Sequence, residues 1–192
     1  MSKTAALLGT GPSLLEYEDD PTTDLVFAIN GAVNKFACDW WVFGDYLTYR
    51  FCKPWTHTRK HDIQLFVADT FLDMHYEEAK DMHAGWIRGR TVRRWLKVDK
   101  KPQTWRVPTA SREGYNNRSM CAAIVLAVNL DVERIDLFGV DLAGDKYFNG
   151  AKIMNYDDGK RWETERILLE KLTTWAAKHG CEVVNSSAQV TA

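Results

Sequence analysis

The chain has 192 residues, 45% hydrophobic and 27% charged, with a net charge of −1; these are ordinary values for one domain with a real core, and they exclude a uniformly basic or acidic protein. It has no apolar run of the roughly eighteen residues a membrane helix needs, and Met1–Thr4 leads straight into a strand without a secretory-leader pattern. The four cysteines (Cys38, Cys52, Cys121, Cys181) are widely spaced and form no CxxC, so buried free thiols in a cytoplasmic protein are expected.

Thr4–Leu8 is a short apolar run, the pattern of a buried parallel strand. Gly9-Thr10-Gly11-Pro12-Ser13-Leu14 comes directly after it. Two glycines and a proline force a tight turn, Ser13 is the expected N-cap of the next helical segment, and amides aimed above a sheet suit a phosphate. The motif is neither the six-residue dinucleotide fingerprint nor a P-loop. Glu16, Glu18, Asp19 and Asp20 then make an acidic stretch. Further strands are predicted over 24–30, 39–44, 63–68, 134–140 and 181–185, most of them continuous apolar runs. Short helices are expected at 31–37 and 46–52, and a long buried one at 116–130 capped by Asn116 or Asn117. Residues 160–179 read as an amphipathic helix, with Trp162, Ile167, Leu168, Leu172 and Trp175 near a 3.6 period and Gly180 closing it.

Strand–helix alternation of this kind makes an α/β fold, a doubly wound, mainly parallel Rossmann-like sheet, within one nucleotide-binding domain over 1–192. Residues 72–112 interrupt the alternation and read as a small inserted lid or acceptor subdomain. They carry Arg88, Arg90, Arg93, Arg94, Lys97, Lys100 and Lys101 against the single acid Asp99, with Trp86, Trp95 and Trp105 interleaved. Such a run is either a solvated face or a surface for phosphate-bearing partners, nucleic acid included.

Doubly wound sheets bind ligands outside the carboxyl ends of their strands. Those ends read Gly9–Ser13, Asn30-Gly31, Asp45-Tyr46, Asp69, Asp141 and Asn185-Ser186-Ser187. Each alone is an ordinary turn former; together they outline a polar site. Asn30 can fix a base or ribose, Asp45 can take ribose hydroxyls, and Asp141 can hold a metal or cap a turn. Tyr115-Asn116-Asn117-Arg118-Ser119 opens the apolar helix as a second anion site, with Arg118 adding charge. Tyr147, six residues beyond Asp141, either donates to a leaving phosphate or packs as a loop aromatic.

Gly9–Leu14, Ala28-Ile29-Asn30-Gly31 and Trp41-Val42-Phe43-Gly44-Asp45 resemble the successive strand ends of bacterial CMP-sialic-acid-dependent sialyltransferases. Ser119–Ile124 and Arg134–Asp141 are similar to a helix and strand of that family, and Asn185-Ser186 to a late Asn-Ser there. A related family, the archaeal-type hydroxymethylpterin pyrophosphokinases and flagellin-motility accessory proteins, shares the Gly-x-Gly-Pro-Ser and Gly-Val-Asp elements. The likeness spans roughly 1–48 and 113–190, not the basic middle. It implies that Gly9, Thr10, Gly11, Pro12 and Ser13 contact the donor nucleotide, with Thr10 where the family has Asn. It further implies that Asn30 holds sugar or nucleotide, that Asp45 replaces another Asn, that Asn116 lies near the donor's sugar carboxylate, and that Tyr147 stabilises the departing phosphate. The family's general-base histidine has no counterpart in 155–163, which leaves Asp158, or a lid histidine such as His75 or His83, to take the proton.

The function expected is a glycosyltransferase-like enzyme moving a sugar from a nucleotide-sugar donor to a hydroxyl acceptor, with no cofactor required. Arg88, Arg90, Arg93 and Arg94 would bind the acceptor, a phosphate-bearing glycan or a modified base in DNA. Such a protein would suit a bacteriophage tailoring its own DNA or the host envelope. One alternative is Mg²⁺-dependent diphosphoryl transfer from ATP to a small hydroxymethyl heterocycle, with Asp45, Asp69 and Asp141 as metal carboxylates. Another is a non-catalytic nucleotide- or nucleic-acid-binding protein. Eight tryptophans leave apolar surface for a homo-oligomer.

Overall fold

The computed structural model describes residues 2–44, 48, 51–52, 64–67, 92–94, 118–153 and 159–189, with the backbone alone given for 64–67, 92–94 and 188–189. Seven strands form one sheet: β1 (Thr4–Leu8), β2 (Leu25–Ile29), β3 (Trp40–Phe43), β4 (Gln64–Val67), β5 (Val92–Arg94), β6 (Arg134–Phe138) and β7 (Glu182–Asn185). Their order is β5-β4-β3-β2-β1-β6-β7 and every pairing is parallel. The chain therefore winds outward from β1 to β5 and then returns to β1's other side. β1 meets β6 with Thr4 opposite Arg134 and Leu8 opposite Phe138. That reversal is the switch point of a doubly wound sheet, as expected.

Alternation along the strands builds two cores, because successive side chains point to opposite faces. Ala5 and Leu7 of β1, Phe27 and Ile29 of β2, Trp40 and Val42 of β3, and Ile135 and Leu137 of β6 face one side. Ala6, Leu8, Val26, Ala28, Trp41 and Phe43 face the other, against Leu14, Tyr17, Ala32 and Val33. The first core is filled by α1 (Ser119–Asn129), in which every residue from Met120 to Val128 is buried. A helix apolar all round has to be enclosed, and α2 (Lys160–Ala177) closes it from outside through Leu172 and Ala176.

Six strands lie where the apolar runs predict them, trimmed at their ends. β5 was not among the predicted strands. Its Val92-Arg93-Arg94 carries no apolar run, and charged residues suit a sheet edge. Three residues of the predicted lid thus belong to the sheet, and the rest of 72–112 lies outside the described residues. The 31–37 helix is a short 3-10 turn, Asn30–Asn34. Only Thr48, Phe51 and Cys52 are described in the other expected helix, the first two helical. Ser13 is not an N-cap: Pro12, lacking an N–H, takes the first turn of a 3-10 segment, so Gly11 caps it. Arg118 holds the N-cap position of α1, and Asn116 and Asn117, expected there, lie outside the described residues. On α2, Ile167 faces solvent and Glu165 is buried instead. The helix ends as expected, Gly180 taking φ +79° while the Cys181 amide donates to the Ala176 carbonyl at 3.0 Å. All four cysteines are buried thiols outside any disulfide, the acidic stretch is exposed apart from Tyr17, and no helix among the described residues is long and apolar enough to cross a membrane.

Candidate active site

The loops after β1 and β6 meet at the switch point and clasp one another. Gly9 donates its amide to the Phe138 carbonyl at 2.7 Å, and Gly11 donates to Gly139 at 2.8 Å. A Cβ on Gly9 would stand 2.3 Å from the Gly139 oxygen, and one on Gly11 would stand 1.9 Å from Asp141 Oδ2. Glycine is required because backbone meets backbone, and a carboxylate, at these points. The Ser13 amide faces both oxygens of Asp141 in long contacts of 3.3 and 3.4 Å. The turn that reads as a phosphate cradle thus directs three of its amides to its own fold. Asp141 fills its mouth, and Ser13 Oγ is buried beside it with no hydrogen-bond partner. The floor of the crevice is an acceptor, suited to hydroxyl or amino donors rather than to an anion.

The other polar strand ends divide between site and scaffold. Asn185 donates from Nδ2 to the Val140 carbonyl at 3.2 Å, and Val140 donates its amide to Ser187 Oγ at 3.0 Å. These two residues aim the Gly139–Asp141 loop. Leu142 takes φ +49°, a strained conformation for a branched side chain. It is held by Arg166 of α2, which donates to its carbonyl at 2.9 Å, while Trp162 Nε1 donates to Gly144 at 2.8 Å. Tyr147 sits on the following hairpin, whose Phe148 amide donates to the Thr10 carbonyl at 2.9 Å. That bond draws the hairpin carrying Tyr147 onto the β1 turn.

Asn30, at the end of β2, adopts φ +47°. Its carbonyl accepts from Trp41 Nε1 at 3.0 Å, and its Oδ1 accepts from Ser119 Oγ at 3.2 Å. The N-terminus of α1 is thereby brought to the β2 end of the sheet. One residue earlier, Arg118 donates to Glu165 of α2, and Arg161 donates to the same carboxylate oxygen at 2.9 Å. Glu165 is buried, whereas the two arginine side chains are 29% and 32% exposed. Burial, and secondarily the Glu165 carboxylate, push the Cys121 thiol up to about 12. Burial raises Cys181 to about 11 as well.

Among the predicted site residues, Gly9, Thr10, Gly11, Pro12, Ser13, Asn30, Asp141 and Tyr147 gather around one end of the sheet. Asp45, Asn116, Asp158, His75, Arg88 and Arg90 lie outside the described residues. Arg93 and Arg94 are on β5, four strands from β1 or roughly 19 Å across the sheet. No group of three metal-ligating side chains occurs among the described residues. Sequence reasoning missed Glu165, Arg161 and Arg166. A charge in the buried stripe was a usable signal for the first: Glu165, Leu172 and Ala176 are spaced by seven and four, one helical face.

No protein-family model and no curated protein matches the chain. A solved structure does: the sialyltransferase CstII from Campylobacter jejuni, in complex with the substrate analogue CMP-3FNeuAc, superposes with a TM-score of 0.51 at 13% identity. The match covers 96% of this chain and 81% of CstII. The fold is sialyltransferase-like. At that identity the likeness is one of fold, and it lends no support to the pterin pyrophosphokinase relation.

Proposed function

We propose that the protein is a glycosyltransferase that moves a sugar from a nucleotide-sugar donor to a hydroxyl acceptor. The observation that carries this reading is the sialyltransferase-like fold across nearly the whole chain. Its solved neighbour holds a CMP-sugar analogue. The polar groups around the switch point support it, since ligands of doubly wound sheets bind there. In this reading Asp141 receives hydroxyl or amino groups of the nucleoside, Asn30 and Asn116 hold donor atoms, and Asp45 contributes at the end of β3. The acceptor oxygen attacks the anomeric carbon, the bond from that carbon to the phosphate oxygen breaks, and the nucleotide leaves with the electron pair. The acceptor's proton passes to Asp158 or His75, and Tyr147 donates a hydrogen bond to the departing phosphate. Arg88, Arg90, Arg93 and Arg94 receive the acceptor. The reaction so written needs no metal.

Thermal shift against CMP, CDP, UDP, GDP and ATP, with and without Mg²⁺, followed by nucleotide release from the matching sugar donors, tests the proposal. Stabilisation by one nucleotide class without Mg²⁺, with slow donor hydrolysis, is the expected outcome. Stabilisation by ATP only with Mg²⁺ would transfer the reading to diphosphoryl transfer. A flat response to the whole panel would overturn the nucleotide site.

A further inference from the structure

The loop that carries Asp141 is bent by left-handed residues: Gly139 at φ +65°, Leu142 at +49° and Gly144 at +72°. Glycine takes that conformation freely, whereas leucine is strained in it. Leu142 is buried all the same, in the core on the α1 side of the sheet. Helix α2 holds the bend from outside. Arg166 Nη2 donates to the Leu142 carbonyl at 2.9 Å, and Trp162 Nε1 donates to the Gly144 carbonyl at 2.8 Å. The two side chains are four residues apart, one turn along a single helix face. On the other side of Asp141, the Val140 amide donates to Ser187 Oγ at 3.0 Å, and the Val140 carbonyl accepts from Asn185 Nδ2 at 3.2 Å. Asp141 therefore stands between two sets of ties, one from the end of β7 and one from α2.

The fold gains little at Asp141 itself. Among the described residues its half-buried carboxylate meets the Ser13 amide alone, at 3.3 and 3.4 Å, beyond the roughly 3.2 Å limit of a normal N–H···O bond. Ser13 Oγ, on a residue only 9% exposed, has no hydrogen-bond partner. A carboxylate oxygen pair and a hydroxyl oxygen are thus left under-bonded side by side, and both can accept. Strain that is not repaid by internal bonds, at the switch point where doubly wound sheets bind ligands, points to a partner that supplies donors.

We propose that Arg166 is a positioning residue: through the Leu142 carbonyl it latches the bend that aims Asp141 at a ligand's hydroxyl or amino groups. Identifying that ligand as the donor's nucleoside rests on the glycosyltransferase reading; the latch does not. The loop runs on into the hairpin of Tyr147, closed at its base by the Ile153 amide donating to the Asp145 carbonyl at 2.8 Å. One latched segment therefore sets both the carboxylate for the nucleoside and the tyrosine for the leaving phosphate.

Amide exchange read by mass spectrometry, and calorimetric binding of cytidine and CMP, test this on wild type, Arg166→Met, Arg166→Lys, Asp141→Asn and the Arg166→Met/Asp141→Asn pair. Melting curves are the control for folding, and Arg166→Lys carries the comparison if Arg166→Met does not fold. In Arg166→Met, exchange should quicken across 139–144 and stay unchanged in β2 and β3. Asp141→Asn should weaken both ligands about tenfold, Arg166→Met at least about threefold, and Arg166→Lys by less. The double variant should bind no more weakly than Asp141→Asn, because Arg166 acts through that carboxylate. Additive losses in the pair, or unchanged exchange in a folded Arg166→Met, would overturn the latch. So would full affinity in Arg166→Met beside a weakened Asp141→Asn. Undiminished affinity in Asp141→Asn would remove Asp141 as the receiving group, and the proposal with it. Quickened exchange in Arg166→Met, with neither ligand bound by the wild type, would sustain the latch and overturn the nucleoside assignment.

Discussion

The clasp between the β1 and β6 loops and the corner between α1 and α2 are built from different materials. The clasp is backbone on backbone: Gly9 and Gly11 amides on the Phe138 and Gly139 carbonyls, with no room for a single added methyl. The corner is side chain on side chain, with Arg118 and Arg161 converging on one buried carboxylate. Backbone contacts of this kind permit almost no variation, because no rotamer can relieve a clash with a carbonyl. Long charged side chains can re-aim, so the corner can adjust while the clasp fixes where the loops stand.

The sharpest break of that contrast is Gly9→Ala. Its Cβ would meet the Gly139 carbonyl at 2.3 Å, and a loss of roughly 3 kcal/mol is expected by chemical denaturation, the upper end for overpacking. A loss below about 1 kcal/mol would mean the clasp yields as side chains do. Glu165→Gln comes next. It removes the buried carboxylate that Arg118 and Arg161 both contact, for a loss of about 2 kcal/mol, less than for a fully buried pair. Gly11→Ala sharpens the comparison, because its nearest clash is with the Asp141 carboxylate, a side chain. Asp141→Ala should recover about 1 kcal/mol of that loss in a double-mutant cycle, whereas it should recover nothing of Gly9→Ala. Additive losses in the Gly11 pair would show that the carboxylate is not what confines the turn.

The smallest effect under ordinary conditions belongs to the buried thiol beside the corner. Cys121 is pushed up to about 12 in the fold against an ordinary 9.0. The folded state therefore holds its proton where the unfolded chain has lost it. That contribution is intact below pH 9 and lost as pH rises toward 12. Denaturation midpoints should be unchanged by Cys121→Ala in their slope with pH below 8, and the variant's slope should be flatter above 9. Parallel slopes on both sides of pH 9 would remove the thiol from the account.

Much of the fold was legible because it is periodic. Apolar runs mark β1, β2, β3, β4, β6 and β7, and the all-apolar Met120–Val128 marks a helix that has to be enclosed. β5 was illegible, since an edge strand of valine and two arginines carries no such signal. The strand ends were legible as polar positions but not as partners. Nothing local says that Asp141 occupies the turn at Ser13, 128 positions away, or that Arg118 meets Glu165 across 47. The glycines read as room for a ligand, and the room is taken by the chain's own carboxylate. Pairings of that range leave no spacing in the sequence to read.

β1 lies inside the sheet, yet one of its flanks is completed only by residues 134–138. A ribosome adding roughly 5–20 residues per second leaves that flank open for on the order of ten seconds after β1 emerges. Until then Leu7 and Leu8, fully buried in the finished protein, lie on an exposed sheet edge of the kind that invites pairing with other chains. The clasp cannot exist until residues 138–141 have emerged, so any ligand that needs it has nothing to bind before then.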